Sequence, residues 1–249
     1  MNDLFQGVPW ADYVPDLWAA FLSTLSYTVV SFVAAAVIGL VTALARLAKF
    51  RPVSAAAQIY TETFKNLPLI TELYILYFGL ASVGVNLSAF QAGSLGLALF
   101  YGAYLSEIFR AGLRGVPKAQ REAAYALGLS SGRTLRHVIL PQAARIAVPG
   151  TSTMMVDLLK GTSLMVAIGG GELMTQGTLI ASDTFRALQV YIVIGLIYLA
   201  LCAPLSRLML RLERRMHAGD ALSPSRRRVC GLIRQAQQDG TALYASSRS

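Results

Sequence analysis

The chain has 249 residues, 55% of them hydrophobic and only 14% charged, with a mean hydropathy of +0.52. A soluble domain carries about 25% charged residues, so this composition excludes a disordered protein, a disulfide scaffold and an ordinary soluble enzyme, and it points to the membrane. The charge is lopsided, 22 Lys+Arg against 13 Asp+Glu for a net +9, and in a membrane protein such an excess marks cytoplasmic loops rather than nucleic-acid binding.

Taken in chain order, the first residues carry Asp3, Asp12 and Asp16 and no basic stretch, so they do not read as a cleaved signal peptide. A transmembrane helix needs about 20 apolar residues. Leu17 to Ala45 contains no charge at all and predicts the first span. Ile59 to Ala81 predicts a second, although it holds Glu62, Lys65, Pro68 and Glu72. Ala92 to Ser106 predicts a third, ending before Glu107 and Arg110. Ile146 to Gly169 predicts a fourth around Pro149, Asp157 and Lys160, with Gly169-Gly170-Gly171 as its flexible end. Ala187 to Ser206, again uncharged, predicts a fifth. The expected fold is therefore all-α and polytopic, with about five transmembrane helices.

The basic residues set a topology. Arg46, Lys49 and Arg51 follow the first span; seven more lie between Arg110 and Arg145; nine follow the fifth span, so 19 of the 22 fall on alternate connections. That pattern predicts a periplasmic N-terminus and a cytoplasmic C-terminus. The domain reading is a periplasmic segment 1–16, a transmembrane domain 17–216, and a cytoplasmic, disordered tail 217–249 containing Arg226-Arg227-Arg228; a segment lying on anionic lipid is the alternative for the tail. Cys202 and Cys230 sit in unlike surroundings, which argues against a disulfide, and no metal-ligand spacing exists.

The longest cytoplasmic connection reads EIFRAGLRGVPKAQREAAYALGLSSGRTLRHVILPQAARIAVPG. Lys118 to Leu127 predicts a short helix after Pro117, stopped by Gly128, which takes a positive φ without penalty. Ser130 or Ser131 can cap a second helix running toward His137, with Pro141 at the start of the next element. Two short helices at a sharp angle make a knob for another protein to grip.

The spacing Glu122-Ala123-Ala124, then Gly128, then Val138-x-Leu140-Pro141 resembles the cytoplasmic EAA signature of ABC importer permeases, with Val138 in place of the usual Ile. The stretch FKNLPLITELYILYFGL, Phe64 to Leu80, resembles the corresponding stretch of the polar amino acid permeases, and Leu159-Lys160-Gly161-Thr162-Ser163-Leu164 resembles their L-K-D-T-S-L. The resemblance covers residues 17 to 216. It implies a permease subunit of an ATP-binding-cassette importer in the bacterial inner membrane, moving polar amino acids or related compounds such as opines. It also implies a second permease subunit, identical or sister, a periplasmic substrate-binding protein, and two ATP-binding subunits that grip the coupling helix of the EAA loop (Glu122, Ala123, Ala124, Gly128, Leu140, Pro141). In keeping with that, no G-x-x-x-x-G-K-[ST] occurs, so no cofactor is expected on this chain and ATP belongs to the partner subunits.

Gly128-Leu129-Ser130-Ser131-Gly132 also matches the G-x-S-x-G of hydrolases, but the Ala-rich stretch before it reads as helix, and only His137 and His217 are available as bases. A membrane-embedded enzyme lacks convergent ligands, and a secondary transporter would normally show repeats. Charges inside spans need a reason, since each costs at least about 2.5 kcal/mol on insertion scales. Glu62 with Lys65, and Asp157 with Lys160, are three apart and can pair along one face. Glu72, Asp157 and Lys160 are the candidates for the translocation path; Glu72 stands where the resembled family commonly has Gln, and it can meet a ligand's ammonium group, the outer interface or a partner helix.

Overall fold

The computed structural model describes residues 8–218. The first seven residues, with Asp3, and the tail from 219, with Arg226 to Arg228 and Cys230, lie outside the described residues. Every regular element among those described is helical: α1 Trp10–Arg46, α2 Arg51–Asn66, α3 Leu69–Ser82, α4 Ala89–Gly115, α5 Lys118–Ala126, α6 Ser131–Ile168, α7 Leu173–Thr184 and α8 Ala187–Ala218. The chain divides into one compact unit up to Leu210 and another from Arg211, of which only the last turns of α8 are described.

α1 is a 37-residue helix that begins at Trp10, seven residues before the span expected from Leu17, with Pro15 inside it. Thr24 and Thr28 donate to the carbonyls four residues back at 3.0 and 2.8 Å, whereas the buried hydroxyls of Tyr27 and Ser31 have no partner. α4 starts with a capping box: Ser88 Oγ accepts from the Gln91 N–H and Gln91 Oε1 accepts from the Ser88 N–H. α1 and α4 approach closely at Gly39, where an added Cβ would lie 2.8 Å from Leu105 Cβ. α4 meets α6 the same way at Gly112, where a Cβ would lie 2.7 Å from the Ala143 carbonyl oxygen. Around these contacts lies the core of Tyr27, Leu73, Leu97, Tyr101, Leu158 and Met165.

The second expected span is divided. Leu67 and Pro68 are extended, with ψ of 132° at both, because the residue before a proline is pushed out of the helical region. What results is a 16-residue amphipathic α2 and a shorter apolar α3. By length and apolarity three helices can cross a membrane (α1, α4 and α8), or up to four if α6 and α7 count as one bent span; the count of five is not reproduced.

The second helix predicted in the loop after Pro117 is also longer than expected. α6 runs without a break from Ser131 to Ile168. Pro141 lacks an N–H, and the helix passes it through a π turn, Leu135–Ile139, in which the Leu140 N–H reaches back to the Leu135 carbonyl. Ser130 occupies the N-cap position but makes no side-chain capping bond. α6 ends in a 3-10 turn, after which Gly169 and Gly171, both with positive φ, break the chain before α7 at a 48° bend.

Candidate functional site

The loop between α4 and α6 forms the short helix, glycine turn and second helix that its spacing predicts. α5 ends with Leu127 as C-cap and Gly128 at φ 77°. The Leu129 N–H donates to the Ala124 carbonyl at 3.1 Å and the Gly128 N–H to the Tyr125 carbonyl at 2.9 Å. Those two bonds make a Schellman cap, which requires the left-handed residue. No atom lies within 4 Å of a Cβ added at Gly128, so backbone conformation alone demands glycine there. Ala124 is the only buried residue of α5, while Glu122 and Ala123 are exposed. Leu127 is 82% exposed and Tyr125 47%, an apolar tip on a charged helix. Leu140 and Pro141 are also exposed, directly after the buried Ile139 that packs with Leu113, Val116 and Ala143. The six motif residues therefore occupy one continuous piece of chain, with Ala124 as the inward anchor.

The candidates inside the membrane are not brought together. Glu72 is buried, with 3% exposure, and neither carboxylate oxygen has a hydrogen-bond partner. Asp157 accepts a bond from the Tyr101 hydroxyl at 3.2 Å instead of pairing with Lys160. Lys160 faces a cavity of about 450 Å³ with Ser163, Met174, Tyr191, Tyr198 and Cys202. The expected Glu62–Lys65 pair is likewise absent: Lys65 Nζ turns to Glu107 Oε1 at 3.9 Å, and Glu62 stays exposed. In both cases a partner on another helix outcompetes the neighbour three residues away.

Two carboxylates that the sequence reading left without a role are the best connected in the molecule. Glu107 Oε1 accepts from Arg46 at 2.6 Å and Oε2 from Arg110 at 2.5 Å, tying the end of α1 to α4. Glu172 is fully buried at the N-cap of α7. It accepts from the Met174 and Thr175 N–H groups at 2.7 and 2.8 Å, the Thr175 hydroxyl at 3.0 Å and the Tyr198 hydroxyl at 2.7 Å. Only the glycine break before it hinted that a helix starts at Glu172, because Glu is not among the preferred N-cap residues. For Glu107 the spacing to Arg110, three residues on, was a local signal, whereas Arg46 lies 61 residues away and gave none. No group of three or more His, Cys, Asp or Glu among the described residues has metal-site geometry.

Comparison with known proteins places this architecture. The family model described as "Binding-protein-dependent transport system inner membrane component" matches residues 35–218. The probable glutamine ABC transporter permease protein GlnM of Bacillus subtilis (strain 168) is 35% identical over 196 residues, covering 79% of this chain and 91% of the relative. The arginine transport system permease protein ArtQ of the same strain is 33% identical over 208 residues, covering 83% and 95%. Among solved structures, a crystal structure of an amino acid ABC transporter with histidines matches with a TM-score of 0.79 at 32% identity, over 84% of this chain and 98% of that one. An inward-facing MetNI methionine ABC transporter shares the fold, with a TM-score of 0.68 at 22% identity over 82% and 98%.

Proposed function

The chain belongs to the family of inner membrane components of binding-protein-dependent transport systems, and from that premise we propose that it is the membrane-spanning permease subunit of an ATP-binding-cassette importer for polar amino acids. The observation that carries the mechanism is the knob at Lys118–Gly128: a short helix closed by a glycine cap, with Leu127 and Tyr125 exposed at its end. An apolar tip on a rigid stalk transmits force, because a partner that grips it moves α4 and α6, the helices it joins.

In this reading Glu122, Ala123, Ala124, Gly128, Leu140 and Pro141 form the coupling surface for a separate ATP-hydrolysing subunit, two of which serve a pair of permeases. ATP binds those partners; this chain contributes no nucleotide site and performs no chemistry. A second permease, identical or sister, completes the path, and a periplasmic binding protein delivers the substrate. The N-terminus lies in the periplasm and the C-terminus in the cytoplasm, as the basic loops require. Of the three path candidates, Lys160 is favoured by its position on an open cavity. A lone cation there suits the carboxylate of an amino acid or an opine, and its cost in an apolar span calls for such a counter-charge. Glu72 and Asp157, buried and tied to Tyr101 respectively, reach a substrate only in another transport state.

The test is uptake into proteoliposomes containing the permease, the binding protein and the ATPase subunit, with each amino acid offered in turn. Uptake that depends on added ATPase subunit and ATP supports the reading; uptake without them sinks it. Orientation is tested separately by labelling Asp3→Cys and Gly240→Cys in intact cells and inverted vesicles, where labelling of both from the same side refutes the opposed termini.

A further inference from the structure

Beneath the knob, α1, α4, α5 and α6 enclose a groove of about 430 Å³ that the coupling role does not use. Its apolar walls include Leu44 and Leu47 from the end of α1, Leu113 and Val116 from the end of α4, and Leu135 and Ile139 from the start of α6. Arg114, Lys118 and Arg121 complete the lining, and no acidic residue contributes to it. All three cations are exposed, and none forms an ion pair with a described residue. Nearby cations behave differently: Arg46 and Arg110 are both spent on Glu107.

We propose that this groove binds one anionic phospholipid of the cytoplasmic leaflet, its phosphate held by Arg114, Lys118 and Arg121 and an acyl chain laid against Leu44, Leu47 and Leu135. The arrangement is amphiphilic in the required order. Leu44 and Leu47 are 46% and 38% exposed at the inner end of a membrane-crossing helix. That end faces the acyl region, while the three cations stand where the chain leaves the membrane. Basic pockets between transmembrane helices on the cytoplasmic side are the usual receptors for anionic headgroups, and the negative surface potential of that leaflet concentrates such lipids there. A soluble anion would satisfy the cations but leave the leucine walls in water; a neutral phospholipid would cover the walls and leave an unbalanced triple charge. Lys118 and Arg121 lie on α5 itself, so the lipid would brace the stalk of the knob against the end of α1.

The inference rests on the cytoplasmic placement of the 110–145 loop but not on the substrate. The assembled transporter, permease with its ATPase subunits, is placed in nanodiscs of phosphatidylcholine with and without one quarter phosphatidylglycerol. Retained lipid is read by native mass spectrometry and ATPase rate by phosphate release. The expected result is retention of phosphatidylglycerol over phosphatidylcholine by at least about tenfold, the preference that several basic side chains give an anionic headgroup, and an ATPase rate several-fold higher when it is present. The triple variant Arg114→Gln, Lys118→Gln, Arg121→Gln should lose both effects. Leu47→Trp, which fills the apolar wall and touches no charge, should displace the lipid too. Retention of phosphatidylglycerol by the triple variant overturns the proposal. So does a triple variant whose ATPase subunits fall away equally in both nanodisc compositions, because the cations would then be gripping an acidic partner protein. Labelling of Arg121→Cys from the outside would instead indicate that the orientation had failed.

Discussion

The knob between α4 and α6 and the interior of the helix bundle present opposite cases of how a sequence encodes a working part. In the knob, each functional feature is held by residues within a few positions of it: Gly128 closes bonds to Ala124 and Tyr125, and Pro117 starts the helix that Gly128 ends. In the interior, partners from remote helices join or replace the local ones. Glu107 binds Arg46 as well as its neighbour Arg110, Asp157 accepts from Tyr101 in place of Lys160, and Glu172 adds Tyr198 to the donors of its own turn. Local geometry is dictated by backbone conformation, which a residue type announces. Interior pairing is dictated by which helices pack together, which no short window contains.

The largest effect expected on this contrast is at Gly128. A β-branched residue at φ 77° is a steric outlier; holding it there costs roughly 1–2 kcal/mol, and leaving the left-handed region re-aims the exposed Leu127. Gly128→Val should abolish transport while the permease stays in the membrane. Gly128→Asn, which tolerates that conformation, should keep most of it. The measurement is uptake together with co-purification of the ATPase subunit; full activity in the valine variant would show that the knob does not couple.

Next in size is the Glu107 cluster. Removing one partner of a buried ion pair typically costs about 3–5 kcal/mol because it strands the other. Glu107 is 27% exposed at its side chain, so about 1–3 kcal/mol is expected for Glu107→Gln once solvent screening is allowed for. A melting curve in detergent reads this directly. Adding Arg46→Met should recover part of the loss, because the more deeply buried of the stranded cations, 9% exposed, is then gone. Equal melting temperatures for the single variant and the native chain would mean that α1 and α4 are held by packing alone.

These expectations show how far the sequence could be read. The all-α membrane architecture, the first and last spans and the glycine cap were legible because each is a property of one contiguous window. The division of the second span was written at Pro68, but its weight against an apolar run was not decidable from that run. The continuity of α6 past Pro141 was hidden, since a π turn leaves no residue-type signature here. The pairings Glu62–Lys65 and Asp157–Lys160 were read from spacing, and spacing lost to Glu107 and Tyr101.

A smaller effect is expected at Lys160, the cation on the open cavity. Lys160→Gln removes a charge and keeps a polar side chain of similar reach. If it holds the substrate carboxylate, the half-saturating concentration of the loaded binding protein should change little, while the uptake rate at saturation falls about tenfold, equivalent to about 1.4 kcal/mol. The opposite split, altered affinity for the binding protein at an unchanged maximal rate, would move Lys160 off the path and onto the docking side.

The smallest effect is expected at Glu72, and its smallness is informative. A carboxylate accepting four donors, as Glu172 does, stabilises the fold; Glu72 accepts none. An amide of the same shape leaves the apolar packing of Leu69 and Leu73 beside it intact. It also exchanges one unpartnered polar group for another, so Glu72→Gln should shift stability by no more than about 0.5 kcal/mol, the range of substitutions that break no specific interaction. Ala is the contrasting substitution: it opens a cavity and should cost about 1–3 kcal/mol through lost packing alone. If Gln is neutral for stability yet changes which amino acids are taken up, Glu72 must become reachable in a transport state where α3 has moved relative to α4. Pro68 supplies the break at which such movement would occur, since the extended Leu67–Pro68 link carries no helical hydrogen bond across it to hold α2 and α3 in line. If rate and ligand preference are both unchanged, Glu72 is a passenger of the fold, and Lys160 alone remains of the three candidates to meet the substrate.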